Sequence, residues 1–496
     1  METDLLEKLR NRAAAVFFTL ALISVCFAAF KVGGMVIAKT KVTLVVYDGP
    51  NLLEQNDTAK ISVQDKPLFV YDCPVNNTHA WVGNEVMTPD YVPMSYFDFE
   101  GKVNVKIRLD KEQTLENVVV RPLSSGIRPI ISGNTVSFAI KNPGQYSIEY
   151  NNDIKKTVFL FANPLETDAP DKNDGNVRYL GPGVWDIGDI TLEDGQTLYV
   201  AGGAYVYGTA NASNAANVSV KGRGVIDGSQ YPGWLTPGST AKVPVNFSSV
   251  EKPAVDGIIL MNPNAWSLNC LSCSGGRISN VKIISSRQNG DGITLQSCSS
   301  MSITDSFVRS WDDSLVVKNY EGDTNQIKFS HILIWTDLAQ SCEIGYETNK
   351  GNRARSTISG VVFDSITVLH NFHKPVISIH NSDDATVRKI EYSNIVVEDA
   401  SMGQGDAGAN NQLIDFTIMQ SGWSTTKGRG VIRDISLNDI RVLGGEAVSS
   451  RMMGFDRTHR IENVTISGLE ILGRKIKSAG EAELAQNEFV SGVVFK

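Results

Sequence analysis

One short pattern, repeated along most of the chain, restricts the fold more than any other feature. It reads apolar, two residues, apolar, one residue, apolar. It occurs at Val255/Ile258/Leu260, Ile278/Val281/Ile283, Phe329/Ile332/Ile334, Phe363/Ile366/Val368, Tyr392/Ile395/Val397, Leu437/Ile440/Val442 and Ile466/Leu469/Ile471. Ile303/Ser306/Val308 fits between the second and third with one position degenerate, so the steps are 23, 25, 26, 34, 29, 45 and 29 residues. Periods of about 20–50 residues mark stacked units that cannot bury their apolar face alone. Each unit is rich in strand formers and leaves no room for a helix pair, which excludes ankyrin and tetratricopeptide repeats. No regular Leu/Asn frame supports leucine-rich repeats, and most steps are shorter than the roughly 40 residues a propeller blade needs. The pattern therefore predicts an all-β chain in which residues 177–496 form a right-handed parallel β-helix, one coil per unit.

Upstream, apolar and polar residues alternate with period two. Val103, Val105, Ile107 and Leu109 form one run, Val136, Phe138 and Ile140 a second, and Tyr146, Ile148 and Tyr150 a third. Asn142-Pro143-Gly144 separates the last two as a turn. Residues 36–165 are expected to form a β-sandwich packed against the first coils. The polar segment 166–176 (ETDAPDKNDGN) reads as a linker.

Residues 1–35 carry a different signal. Lys8, Arg10 and Arg12 precede an uncharged apolar run from Ala13 to Phe30, followed by Lys31. This reads as an export signal cleaved before Ala29, or as a retained anchor at the lower limit of a membrane span; a buried helix is the third reading. Either of the first two puts the bulk of the protein in the periplasm or outside the cell. The net charge of -8, with no Lys/Arg-rich block, argues against a nucleic-acid partner. Contact with a membrane is expected only through the N-terminal segment, and a monomer is expected. Beyond the signal, Cys73, Cys270, Cys273, Cys298 and Cys342 remain. An odd number does not make a complete disulfide framework, and Cys270-Leu-Ser-Cys273 lacks the second ligand pair of a zinc site. They read as small core residues with room for one bridge, Cys273 and Cys298 lying on neighbouring coils.

Counting from the first apolar residue of each coil brings a group of polar residues together. Asp291 lies 13 after Ile278, Asp312 and Asp313 lie 9 and 10 after Ile303, and Glu343 lies 14 after Phe329. His370 and His373 follow Phe363 by 7 and 10. A carboxylate triplet beside Trp311 suits sugar chemistry, in which one acid protonates the glycosidic oxygen and another carboxylate activates water. A single Asp in Asn289-Gly290-Asp291-Gly292 would be ordinary turn chemistry. An adjacent pair of carboxylates is harder to explain that way, because two such groups repel unless a proton, a cation or a catalytic role accounts for them. A calcium site of carboxylate and carbonyl oxygens is a further alternative. Neither a metal nor a cofactor is expected.

The stretch Asn289–Lys318 (NGDGITLQSCSSMSITDSFVRSWDDSLVVK) resembles the core of glycoside hydrolase family 28, the polygalacturonases. That family carries Asn-x-Asp-Gly and then an Asp-Asp pair 21 residues after the first Asp; here Asp291 to Asp312 is also 21, and Lys318 falls where a Lys is frequent. The resemblance implies Asp312 as general acid, Asp291 and Asp313 as holders of the attacking water, and inversion at the anomeric carbon. Two departures stand out. Ala339-Gln340-Ser341-Cys342 occupies the place of the family's Gly-His-Gly, and no Arg-x-Lys clamp for a uronate is present, His373 and Lys374 being the nearest candidates. The two-domain layout is also similar to family 49, the dextranases and isopullulanases, which joins a β-sandwich to the same β-helix. Assignment between the two families stays open on sequence alone.

The expected substrate is a polysaccharide or oligosaccharide. Its contacts are assigned to Asn289, Trp311, Lys318, Gln340, Glu343, His373 and Lys374, with Trp335 and Tyr346 as further stacking candidates. A β-helical lyase, needing a Lys or Arg base beside a charge-neutralising group, and a non-catalytic glycan binder are the competing functions.

Overall fold

The computed structural model describes residues 42–77, 88–110, 114–320, 322–351, 354, 356–401, 411–446 and 448–496. The expected export or anchor segment lies outside the described residues. From Leu44 to Lys496 the chain forms one compact unit, so the two β regions are described together.

The alternating runs form two facing sheets. In one, Lys66–Pro67, Ala59–Val63, Val103–Leu109, Thr135–Ile140 and Ile130–Ser132 lie side by side, all antiparallel. The other contains Tyr71–Val75, Asp90–Glu100, Asp153–Pro164, Gly144–Tyr150 and Val118–Arg121 in that order. Val103, Val105 and Ile107 point inward at every second position, as a period of two requires, and meet Ile148, Val158 and Leu160 of the facing sheet.

The repeat pattern folds as the sequence dictates. Val255, Ile278, Ile303, Phe329, Phe363, Tyr392, Leu437 and Ile466 are consecutive partners in parallel pairing, one per coil. Phe329, Phe363 and Tyr392 stack with ring centroids 4.9 and 5.0 Å apart. That spacing is the interstrand distance of a sheet, so every coil buries its ring on the next, each worth ~1.5–3 kcal/mol. The sheet runs from Val177–Leu180 to Val490–Phe495 with no helical layer among the described residues, giving an N-terminal β-sandwich followed by a right-handed parallel β-helix. The long step from Tyr392 to Leu437 contains the strand Ile414–Ile418.

The sandwich does not stop at the first coils. Tyr71, Met94, Phe159 and Phe161 pack along the solenoid from Tyr205 through Phe307 and Trp335 to Phe372. A sheet face lined with aromatics needs an equally long apolar face to cover it, and several coils are required to supply one. Within this seam Arg309 and Asp337 form a fully buried ion pair (2.9 Å), with the guanidinium 4.3 Å from the Trp335 ring centroid. His370 bridges Glu149 of the sandwich (3.0 Å) and Asp399 (2.8 Å). His370 and Trp335 were expected near the carboxylates or sugar; both belong to this seam. Counting from Phe363 misplaced His370 because it lies in the same long strand, Thr357–Asn371, paired with Trp335 before the coil turns.

The five cysteines of the described region are buried and unbridged. Cys273 and Cys298 do lie on neighbouring coils, the amide of Ser299 donating to the carbonyl of Cys273 at 2.9 Å.

Candidate active site

The strands Leu268–Leu271, Ile293–Gln296, Leu315–Asn319, Cys342–Thr348 and Ile377–Asn381 stack in parallel register, Leu268 beside Ile293, then Leu315, Cys342 and Ile377. Two residues before each of these stand Trp266, Asp291, Asp313, Gln340 and Pro375. Main-chain bonds continue the ladder through this entry turn: Gly292 donates to the carbonyl of Asp313 (2.8 Å) and Ser314 to that of Gln340 (2.8 Å). Asp291 and Asp313 are therefore neighbours across one coil spacing of ~4.8 Å, and Asp312 precedes Asp313. The glycines of Asn-Gly-Asp-Gly permit this closeness. A Cβ at Gly292 would lie 2.4 Å from the Ser314 carbonyl oxygen.

Asp312 is half-buried, and both its oxygens are held. Oδ2 accepts from the amide of Asn289 at 3.1 Å and Oδ1 from the amide of Asp313 at 3.0 Å. Asp313 accepts from the amide of Gln340 at 3.0 Å. Burial and the charge of Asp312 push the carboxyl of Asp291 well above the usual carboxylate range and that of Asp313 up to about 7. Asp291 and Asp313 therefore hold their protons longer than isolated acids, since a neighbouring carboxylate disfavours their ionisation.

Around them lies a second tier of charge. Lys318 pairs with Glu347 at 3.0 Å and not with Asp313. Burial alone would lower its pKa, but Glu347 and Asp291 outweigh that and hold the ammonium above the ordinary lysine value. Glu343 accepts from the Ser378 hydroxyl and lies 2.9 Å from His380 Nδ1. His380 Nε2 reaches Asp415 at 3.2 Å, and Arg451 pairs with the same carboxylate. Burial opposes the charged ring, yet Glu343 and Asp415 raise His380 to about 10, so it stays an imidazolium. Tyr346 stacks on that ring with centroids 4.5 Å apart and its hydroxyl accepts from the Gln340 side chain at 3.2 Å.

The sequence-derived residues thus divide. Asp291, Asp312 and Asp313 come together, with Lys318 beside Asp291. Asn289 and Gln340 meet the carboxylates through main-chain amides, which fix the acids in place. Two assignments are corrected. Trp311 is fully buried and Glu343 has no exposed surface, so neither is offered to a sugar. Trp311 turns inward next to a half-buried acid, and Glu343 is consumed by Ser378 and His380. His373 is buried and Lys374 half-buried in the turn before Ile377–Asn381; Lys374 occupies the register position of Asp312 two coils further on. Trp266 was missed. It is half-buried, its ring centroid 6.0 Å from Lys318 Nζ, one coil before Asp291. The signal was present: Trp266 precedes Asp291 by 25 residues, one repeat step. Glu347, Asp415 and Arg451 were missed as well, for want of any local motif.

The family model for glycosyl hydrolases family 28 matches residues 188–487, more than half of the chain. The isopullulanase of Aspergillus niger is 21% identical over 460 residues, covering 80% of this chain and 71% of that protein. Among solved structures, Dex49A from Penicillium minioluteum superposes with a TM-score of 0.62 over 91% of this chain and 96% of that one, at 14% identity, a likeness of fold. With three Asp on two adjacent coils of a parallel β-helix and the family match spanning that helix, the chain belongs to glycosyl hydrolases family 28, a glycoside hydrolase acting on polysaccharide or oligosaccharide.

Proposed function

We propose that this hydrolase cleaves a neutral glycan with inversion, Asp312 protonating the leaving oxygen while Asp291 and Asp313 hold the attacking water. The observation that carries the division of labour is burial. Asp312 is the most open of the three, placed to meet a glycosidic oxygen arriving from solvent. Asp291 and Asp313 lie deeper on adjacent coils, where a water can be held between them. Asp312 gives a proton to the leaving oxygen, and Asp291 and Asp313, once ionised, take one from the water.

Charge supports a neutral substrate. Recognition of a uronate calls for a cation free to meet its carboxylate. Here Lys318 is matched by Glu347, His380 by Glu343 and Asp415, and Arg451 by Asp415. The relative named isopullulanase acts, by that name, on pullulan, a glucan without carboxylates. Export rests on the apolar run Ala13–Phe30 behind its basic residues. The test is a panel of dextran, pullulan, other neutral glucans and polygalacturonate with a reducing-sugar readout and proton NMR of the first product. Release of an inverted anomer from a neutral glucan is expected. Cleavage confined to polygalacturonate, or a retained anomer, overturns the reading.

A further inference from the structure

A cleft of about 720 Å³ lies away from the three Asp, where the sandwich overhangs a corner of the solenoid. Its floor is a ladder. Asn280, Asp305, His331, Ser365 and Asn394 each stand two residues after a paired core residue, on successive coils, so polar side chains repeat every ~4.8 Å along the solenoid axis. All five have φ between 52° and 56°, the left-handed backbone that this corner demands and that Asn, Asp and His tolerate best. One wall is the sandwich turn Asn142–Gly144 with Gln145, whose side-chain amide donates to the Asp305 carbonyl at 2.9 Å and so fixes the wall to the floor. At one end Arg223 is clamped by Asp98 (3.1 Å) and Asp256 (3.7 Å). Arg277 and His331 are exposed in the cleft and, among the described residues, make no ion pair or side-chain hydrogen bond.

We infer that this cleft is a second, non-catalytic binding site for a strand of the neutral glycan that the hydrolase cleaves. The volume is that of ligand clefts, roughly 300–1,000 Å³. Its chemistry is amides, hydroxyls and charges of both signs, Arg277 among them without an ion pair, with Pro122 and Pro143 in the lining. Planar amides and guanidinium groups serve sugar hydroxyls as donors and acceptors, and apolar ring edges serve sugar C–H faces. A repeating ladder suits a polymer with a repeating unit, and the net charge of -8 disfavours a polyanion. The site would hold an insoluble or long substrate against the enzyme while another part of it enters the cleavage site.

The inference rests on the glycan-hydrolase reading above, and the experiment separates the two. The full chain carrying Asp312→Asn is run on native gels containing dextran, pullulan or polygalacturonate. Two versions alter the cleft: Arg277→Ala with His331→Ala, which removes its unengaged donors, and Thr367→Trp, which fills it. Retardation by a neutral glucan is expected in the parent and is expected to weaken about tenfold in both versions, the loss of one or two hydrogen bonds. With Asp312 restored, kcat/KM on a short oligosaccharide should stay unchanged while cleavage of the polymer slows. Equal retardation of the parent and both versions, or no retardation of the parent, overturns the second site. Failure of the unaltered enzyme to cleave any neutral glucan overturns the catalytic reading instead.

Discussion

The amide of Asn289 donates to Oδ2 of Asp312 across 3.1 Å, tying the acid of one coil to the turn that carries Asp291 on the coil before it. The distance between acid and base is thus set by main chain, not by flexible side chains. Replacing Asp312 by Asn keeps the size and, through its one carboxamide oxygen, one of the two main-chain bonds, but removes the acid. Activity on ordinary glycosides should fall ~10²–10⁴-fold. A substrate with an activated leaving group needs less protonation and should lose far less. Asp291→Asn and Asp313→Asn should depress both substrates alike. Equal losses for Asp312→Asn on the two substrates would show that it is not the acid.

The raised carboxyls set the pH response. Burial and Asp312 raise Asp313 to about 7 and Asp291 well above the ordinary value, so these two are still protonated in weakly acidic solution. As holders of the attacking water these two act ionised, so kcat/KM should rise as pH rises through about 7. Lys318 is among the groups that lower Asp291. Lys318→Met should therefore move the acidic limb to higher pH. A limb that stays put or moves to lower pH would exclude this account.

The same shift has a stability sign. A carboxyl whose pKa is raised on folding contributes its full stability below the unfolded value near 3.9, and loses it as pH rises through about 7. Asp313→Asn should thus raise the melting temperature at pH 8, and the gain should disappear near pH 4. An unchanged or lower melting temperature at pH 8 would show that this carboxyl carries no such strain.

How much of this was legible in the sequence follows from which forces are local. Phe329, Phe363 and Tyr392 gave the coil register because each packs on its equivalent one repeat away, and the period survives insertions placed in loops. Asp291 and Asp312 were legible because their spacing is a single coil. His380 and Arg451 were not, since ion pairs between coils leave no sequence period; Glu343 and Asp415 come from separate strands with unequal loops between them. Trp311 misled because an aromatic beside an acid pair gives no indication of direction, and it lies in the bend after Phe307–Ser310, where no strand alternation marks which side chain turns inward.

Trp266 stands one coil before Asp291 at the same register position, with part of its ring exposed. That is the place for a platform under a sugar next to the scissile bond. Trp266→Ala is expected to raise KM about tenfold with a smaller change in kcat, and Trp266→Phe to recover most of the loss. An unchanged KM would mean the ring only covers Lys318.

His380 is the cation on which two buried carboxylates depend. Glu343 and Asp415 flank it at 2.9 and 3.2 Å, both without exposed surface, and with Ser378 they leave the ring no route to solvent. His380→Phe would keep the stack with Tyr346 but leave two buried anions with one fewer cation, and breaking such a pair costs ~3–5 kcal/mol. The sign with pH is fixed by the raised pKa. The contribution is fully present below the unfolded histidine value near 6.5 and is lost as pH rises through about 10. Denaturant unfolding at pH 6, 8 and 10 should therefore show the parent losing stability steadily with pH, and His380→Phe should flatten that slope while lying below the parent at pH 6. Glu343 is also one of the charges that raise Asp313. In Glu343→Gln the acidic limb of kcat/KM should move to lower pH, although Glu343 touches no substrate. A stability slope unchanged in His380→Phe, together with an unmoved limb in Glu343→Gln, would show that this buried row of charges acts on neither the fold nor the three Asp.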